Sequence, residues 1–116
     1  MDRCKRLERK FNYIENLYKI TLEDFSQEFL NACQIDINFE LTDDIKILIK
    51  IDQEINQLKK RVSNIYDSNK SMLDESRDLF HRLSLVHKAI RETMRTEYGI
   101  IDCWENKDGR LEYVQC

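Results

Sequence analysis

An apolar heptad pattern between Leu48 and Met94 constrains the fold of this chain more than any other feature. Apolar side chains recur there at alternating steps of three and four residues, at Leu48, Ile51, Ile55, Leu58, Val62, Ile65, Met72, Leu79, Leu83, Val86 and Ile90. Residues three and four apart share one face of an α-helix, and a 3.5-residue repeat keeps that face towards a partner. The pattern therefore predicts a single long helix with one apolar seam, in a chain that assembles with others.

Two consecutive layers at the centre of this seam are polar. Counting heptads from Leu48 places Asn69 and Ser76 at a positions. A polar residue at an a position lowers stability and can fix the register and oligomeric state of a coiled coil. The alternative interpretation is that residues 67–71, which are rich in Asp, Ser and Asn, mark a bend in the helix. The sequence leaves both interpretations open.

The seam widens after these polar layers. The e positions change from Asp52 and Lys59 to Tyr66, Leu73, Phe80, His87 and Met94. An apolar stripe on a, d and e positions is wider than a two-stranded coil needs and is typical of three- or four-helix bundles. We therefore expect the C-terminal half of the helix to meet more than one other helix.

Residues that break helices are scarce in this chain, which has no Pro and only two glycines, Gly99 and Gly109. Their absence before Gly99 favours long helices over a many-stranded sheet. The expected fold class is all-α, a helical hairpin of one medium and one long coiled-coil helix that forms a bundle with partner helices. Residues 1–98 make up this hairpin and residues 99–116 a C-terminal extension. With 41% hydrophobic and 35% charged residues, the 116-residue chain fits one folded domain.

Several classes of function conflict with the composition. A net charge of −3 gives no general affinity for nucleic acid. No apolar run is long enough to cross a membrane. The four cysteines lack the paired spacing of zinc sites, and without an apolar leader we expect free thiols in a reducing cytosol or nucleus. We expect no cofactor, no membrane insertion, no direct sequence-specific nucleic acid binding and no small-molecule substrate.

The N-terminal region predicts a first helix from Asp2 to Cys33. Its apolar stripe crosses Thr21 without a change of phase, although Thr21 and Asp24 could also start a second helix as a capping box. A small basic cluster lies at its beginning: Arg3, Lys5, Arg6, Arg9 and Lys10. Such a cluster is usually a solvated helix face, and binding to an anionic partner is the alternative.

An acidic turn follows this first helix. Residues 34–41 lose the helical period, and either Thr42 or Asn38 is available to cap the next helix. Four acidic residues of this segment are expected on the surface: Asp36, Glu40, Asp43 and Asp44. Residues 45–51 alternate in a way that a strand would also produce, but their spacing continues into the heptads, so we predict a helix.

The period changes again after Tyr98 and Gly99. Apolar residues then flank the turn-forming run Asn106-Lys107-Asp108-Gly109. This arrangement is typical of a short β-hairpin, and we predict for the C-terminal extension either such a hairpin or a loop that folds back on the bundle.

Helix lengths predict where partners bind. A first helix of about 32 residues spans roughly 48 Å and a second of about 55 residues roughly 82 Å. Folded back, the first covers the second only as far as Ser76. The predicted partner-binding surface is therefore the uncovered stripe, formed by Leu79, Phe80, Leu83, Val86, Ile90 and Met94. The alternative is a lid formed by the C-terminal segment, most readily by Trp104.

Catalytic constellations are hard to assemble from this sequence. His81 and His87 do not share a helix face, and His87 lies on the seam, where a packed histidine is expected. The chain has no Gly-rich phosphate loop, no nucleophile elbow and no HExxH motif. We expect a protein that is not an enzyme.

The order of elements resembles the helical N-terminal regions of Ska-type kinetochore subunits. The residues that carry this resemblance are Glu54-Ile55, Leu58-Lys59, Val62, Ile65, Arg91-Glu92 and Tyr98-Gly99. The resemblance implies a structural subunit of a hetero-oligomeric coiled-coil complex that acts where chromosomes attach to microtubules. Its partners would be other helical protein subunits, and its location the cytoplasm or nucleus.

Two alternatives to this assignment remain. One is a homodimeric adaptor, for example a viral one, in which the partner is a second copy of the chain. The other is a subunit of a lysosome-biogenesis or vesicle-tethering complex. Both keep the prediction that Asn69 and Ser76 set register and that residues 77–97 bind the partner.

Overall fold

Helices make up most of the structure, a computed structural model that describes residues 2–116. The elements in chain order are α1 (Arg3–Glu23), α2 (Gln27–Ala32), α3 (Ile45–Ser68), a 3₁₀ turn (Lys70–Met72), α4 (Leu73–Tyr98), β1 (Ile100–Glu105) and β2 (Leu111–Gln115). The mainly helical architecture is as predicted, and the strands form one small antiparallel hairpin.

The prediction of one continuous helix from Asp2 to Cys33 is wrong. Helix α1 ends at Glu23, and α2 begins after Ser26, whose hydroxyl oxygen accepts a hydrogen bond from the Phe29 amide at 3.2 Å. This N-cap stabilises a new helix start and lets Phe29 turn into the core, where it is 1% exposed. The apolar spacing crosses the break, so periodicity alone could not reveal it.

An extended segment, residues 34–44, connects α2 to α3. Its apolar residues Ile35, Ile37, Phe39 and Leu41 pack against the core, and the polar residues between them are exposed. The Phe39 ring stacks on Tyr18 of α1 with centroids 4.2 Å apart. Helices α1 and α3 run in the same direction, so the chain needs this crossover to return to the end where α3 begins.

The crossover confirms part of the prediction for the acidic turn. Asp36, Glu40, Asp43 and Asp44 are all exposed, and residues 45–51 are helical. The predicted caps, Thr42 and Asn38, are wrong, because Asp44 caps α3 by accepting a hydrogen bond from the Lys46 amide at 2.9 Å.

The long helix predicted from the heptads is two helices. Helix α3 ends at Ser68, Asn69 has an extended backbone, and α4 runs back along α3. The Asn69 side-chain oxygen accepts hydrogen bonds from the Ser71 amide at 3.1 Å and the Ser71 hydroxyl at 2.7 Å. Short polar side chains that bond to nearby backbone compete with helix, which explains why the helix stops at residues 67–71. The break is a full reversal of the chain, which goes further than the bend considered from the sequence.

Within the described residues, the Ser76 side chain, like that of Asn69, forms no hydrogen bond to another helix. It is fully buried, and its hydroxyl donates to the carbonyl oxygens of Met72 and Leu73 at the start of its own helix. The register-setting role of Asn69 and Ser76 stays a prediction, without a hydrogen bond between helices among residues 2–116 to support it.

The core lies between α1, α3 and α4. Helix α1 packs antiparallel on α4, and Glu97 accepts hydrogen bonds from Arg6 at 2.7 Å and Lys10 at 2.8 Å. These cations lower the pKa of Glu97 to about 2. The longest dimension of the molecule is 47 Å, shorter than the roughly 82 Å of the predicted long helix.

We predict that Asn69→Ala lowers the free energy of unfolding by about 1 kcal/mol, because the turn loses the acceptor for Ser71. Chemical denaturation measures this change. Asn64→Ala, on an exposed site inside α3, is the matched control and should be neutral or slightly stabilising, since Ala favours helix. Equal effects of the two substitutions would contradict a capping role for Asn69.

Candidate functional site: the C-terminal hairpin and its buried anchor

The C-terminal hairpin, β1 and β2, packs with one face against α3 and α4. Its turn is fixed by Asn106, whose side-chain oxygen accepts from the amides of Asp108 and Arg110, both at 2.9 Å, and by Gly109 at φ 78°. This is the turn predicted for residues 106–109, and Gly99 at φ 68° ends α4 before the hairpin as expected. The predicted hairpin is therefore confirmed.

A buried carboxylate anchors this hairpin to the helices. Asp52 of α3 is fully buried. The Cys103 thiol of β1 donates to Asp52 Oδ2 at 3.3 Å, and Gln53 Nε2 donates to the same oxygen at 3.0 Å. Two elements that are distant in sequence are thus joined through a single side chain.

Two basic side chains of α4 surround the other oxygen of Asp52. Arg91 Nε donates to Oδ1 at 2.8 Å, and His87 Nε2 lies 2.8 Å from that oxygen without the alignment of a hydrogen bond. Burial acts to raise the pKa of Asp52, but the contacts with His87 and Arg91 outweigh it and hold the pKa below its ordinary 3.8. Asp52 is therefore a carboxylate at neutral pH.

Arg91 also holds the hairpin directly. Its guanidinium donates to Asp102 Oδ1 at 3.3 Å and to the Cys103 carbonyl oxygen at 3.4 Å. One residue of α4 therefore contacts α3 and β1 at the same time. We call Asp52, His87, Arg91 and Cys103 the anchor cluster.

The chemistry of the anchor cluster fits a structural role better than a catalytic one. Burial raises the pKa of the Cys103 thiol to about 12, with the Asp52 carboxylate adding to the shift. A thiol in that state is a poor nucleophile, because the thiolate is the reactive form. Among residues 2–116, no group of three or more His, Cys, Asp or Glu residues is arranged to hold a metal ion.

The outer face of the hairpin, which points away from α3 and α4, carries exposed apolar side chains. Ile101 is 60% exposed, Trp104 39% and Val114 44%. The inward positions of β1 are Ile100 and Cys103, both 3% exposed. A hairpin anchored on one face thus presents apolar side chains, including the single Trp of the chain, on the other.

One edge of the hairpin is also free. The Asn106 amide donates to the Arg110 carbonyl at 2.8 Å, and the register pairs Trp104 with Glu112. Hydrogen-bonded and non-hydrogen-bonded pairs alternate in an antiparallel ladder, so the amides of Leu111 and Tyr113 point away from β1. Within the described residues no further strand pairs with this edge.

The predicted partner-binding stripe lies in a different environment from the one expected. Five of its six residues, Leu79, Leu83, Val86, Ile90 and Met94, are 0 or 1% exposed in the chain's own core. The expectation of an uncovered stripe is wrong, because the break at Asn69 lets α3 cover α4. Only Phe80 is exposed, at 39%, with Lys59 over its ring at 5.2 Å. Trp104 is not the lid, since Ile100 and Cys103 are the β1 residues that face inward.

Sequence reasoning misses most of the anchor cluster. The expected packing of His87 is confirmed by its 14% side-chain exposure. The heptad frame places Asp52 at an e position and gives no reason to bury it, since the e positions become apolar only in the second half of the seam. Two acidic residues, Asp52 and Glu54, lie between Ile51 and Ile55, and no sequence signal marks Asp52 as the buried one.

We predict that Asp52→Asn lowers stability by about 2–3 kcal/mol at pH 7, because it leaves the partly buried Arg91 without its counter-charge. A carboxyl group with a depressed pKa stabilises the fold above its unfolded pKa and loses that contribution as the pH falls. The difference from wild type should therefore shrink below the ordinary Asp pKa of 3.8. Urea unfolding at several pH values measures it, with exposed Asp67→Asn as control. A difference that does not change with pH would contradict this account.

Comparisons with known proteins add no family assignment. No protein-family model, no curated protein and no solved structure matches the chain. The resemblance to Ska-type subunits therefore stays a prediction. In the described residues, no helix has the length and apolar character needed to span a membrane.

Proposed function

We propose that this protein is a non-enzymatic binding subunit, whose C-terminal hairpin takes up an extended segment of another protein as an added strand. The observation that carries the proposal is the free edge of β2 beside an exposed apolar face. A strand added to an open edge gains main-chain hydrogen bonds, and side-chain contacts with the exposed face give it specificity.

The side chains at this surface fit that role. Trp104 on the outer face and Tyr113 on the inner face are each about two-fifths exposed. Trp and Tyr supply much of the binding energy in protein interfaces, because they bury a large area with little loss of side-chain freedom. The incoming segment is expected to place apolar residues at alternate positions, where they meet Val114 on the outer face of β2, with Trp104 one strand further away on β1.

The anchor cluster supports the same proposal. An isolated two-stranded hairpin is marginally stable in water. Here Asp52 and Arg91 fix β1 to two helices, so that the edge is already ordered before a partner arrives. Pre-ordering a binding surface lowers the entropy lost on association.

The wider assignment, a structural subunit of a helical complex in a kinetochore, lysosome-biogenesis or tethering pathway, stays a prediction. With the heptad seam used inside the chain, helical partners would have to bind on another surface. The hairpin proposal needs no such seam and is therefore favoured by the geometry.

We predict that Tyr113→Pro weakens binding of an extended peptide about tenfold, since proline removes the amide that faces the free edge. The probe is a peptide selected on the full chain from a random library, and fluorescence anisotropy measures its affinity. Tyr113→Ala is the matched control, because it loses the same side chain but keeps the amide. Equal affinities for the Pro and Ala variants, or selected peptides without alternating apolar residues, would overturn the proposal.

A further inference from the structure

A second exposed apolar strip lies on the solvent side of the line where α1 packs against α4. On α1, Tyr13 is 65% and Ile20 53% exposed, and on α4, Leu85 is 48% exposed. These three are among the most exposed large apolar side chains of the helices, and none of them lies on the heptad stripe that the sequence singles out. The hairpin surface shares no residue with this strip.

Polar contacts between α1 and α4 fix the positions of these residues along the two helix axes. Lys10 donates to Thr96 at 3.4 Å, and Arg82 donates to Asp24 at 2.7 Å. Ile20 lies one turn before Asp24, and Leu85 lies about one turn after Arg82 in the antiparallel helix. Ile20 and Leu85 are therefore side by side on the solvent face of the seam.

Tyr13 continues the strip along α1. Seven residues separate Tyr13 from Ile20, so both lie on one line of the helix, next to the line of Lys10, Leu17 and Asp24 that faces α4. Two helical turns of apolar surface are exposed there, rimmed by polar residues.

The far rim of the strip is a line of three exposed polar residues. Arg9, Asn16 and Glu23 follow one another at seven-residue steps, and all three are exposed. This line runs along the side of Tyr13 and Ile20 that points away from α4. It carries a positive charge at one end, a neutral amide in the middle and a negative charge at the other end.

The charges of the whole helix are divided in the same way. The first part of α1 and its N-cap have five positive residues, Arg3, Lys5, Arg6, Arg9 and Lys10, against two negative residues, Asp2 and Glu8. Its last part and C-cap have three negative residues, Glu15, Glu23 and Asp24, against one positive residue, Lys19. An antiparallel arrangement of two such helices therefore places positive against negative at both ends.

We infer that this strip is a self-association surface, on which the α1 helices of two copies pack antiparallel about a two-fold axis. A two-fold interface joins the same patch on both subunits, so Tyr13 of each copy meets Ile20 of the other. Arg9 then lies within one residue's rise of Glu23 in the second copy. Both are exposed, and neither forms an ion pair within residues 2–116.

The charge division selects this arrangement among the ways in which two strips could meet. A parallel pairing would place the basic parts of both helices together and the acidic parts together, which like-charge repulsion disfavours. The antiparallel pairing brings the two copies of Asn16 together near the axis. A side-chain amide both donates and accepts, so two of them can bond to each other without a charge conflict.

The strip is small, and its ion pairs are exposed to solvent. Exposed ion pairs contribute little each, and salt screens them. We therefore expect a weak dimer whose affinity falls as salt is added.

Charge reversal on the full chain tests the arrangement, with sedimentation velocity as the readout. Arg9→Glu alone and Glu23→Arg alone should each weaken dimerisation about tenfold, because each change creates two repulsive contacts in the symmetric dimer. A mixture of the two single variants should associate with an affinity near that of wild type, since each substituted position then faces the opposite charge in the other variant. Folding defects cannot produce this rescue.

Two controls complete the experiment. Lys60→Glu, at an exposed site on α3, should leave association unchanged, and Tyr13→Ser with Ile20→Ser should give a monomer of unchanged helical content by circular dichroism. A wild-type chain that is monomeric at millimolar concentration, or a mixture that associates no better than the single variants, would overturn the inference.

Discussion

The packing of α4 back onto α3 is the interaction on which the rest of the structure depends. The chain reverses at Asn69, whose side chain stabilises a turn in the middle of an otherwise uninterrupted apolar seam. Once the chain reverses there, the two halves of the seam cover each other. The apolar surface that would bring partner helices together in a long coiled coil is used inside one molecule, and other surfaces must carry any association.

The buried carboxylate of Asp52 has the next most important role, because it turns a helical bundle into a platform for a hairpin. A buried charge is costly unless basic groups and donors surround it. Arg91, His87, Gln53 and Cys103 provide these contacts, and one of them comes from the hairpin itself. The position of β1 is thereby tied to the electrostatic balance of the core, in addition to its apolar contacts.

The heptad pattern identifies which residues are buried far better than it identifies what covers them. Leu79, Leu83, Val86 and Ile90 are in the core as their spacing indicates, but periodicity has no information about the direction of the chain. The breaks at Ser26 and Asn69 depend on single short polar side chains, which leave the apolar phase unchanged. The hairpin is predictable because its turn residues are specific. The anchor cluster is not, since it joins residues 51 positions apart that no local pattern connects.

The crossover between α2 and α3 affects how such a chain can fold as it is synthesised. Because α1 and α3 are parallel, α1 finds its ion-pair partner Glu97 only 91 residues after Arg6. The α3–α4 pair, by contrast, is local and can form as soon as residue 98 has emerged. Until then α1 is covered only by nearby segments such as the crossover, whose Phe39 stacks on Tyr18, and its contacts with α4, which have a long sequence separation, form late. The first helix to be made thus completes its packing only when the last helix is present.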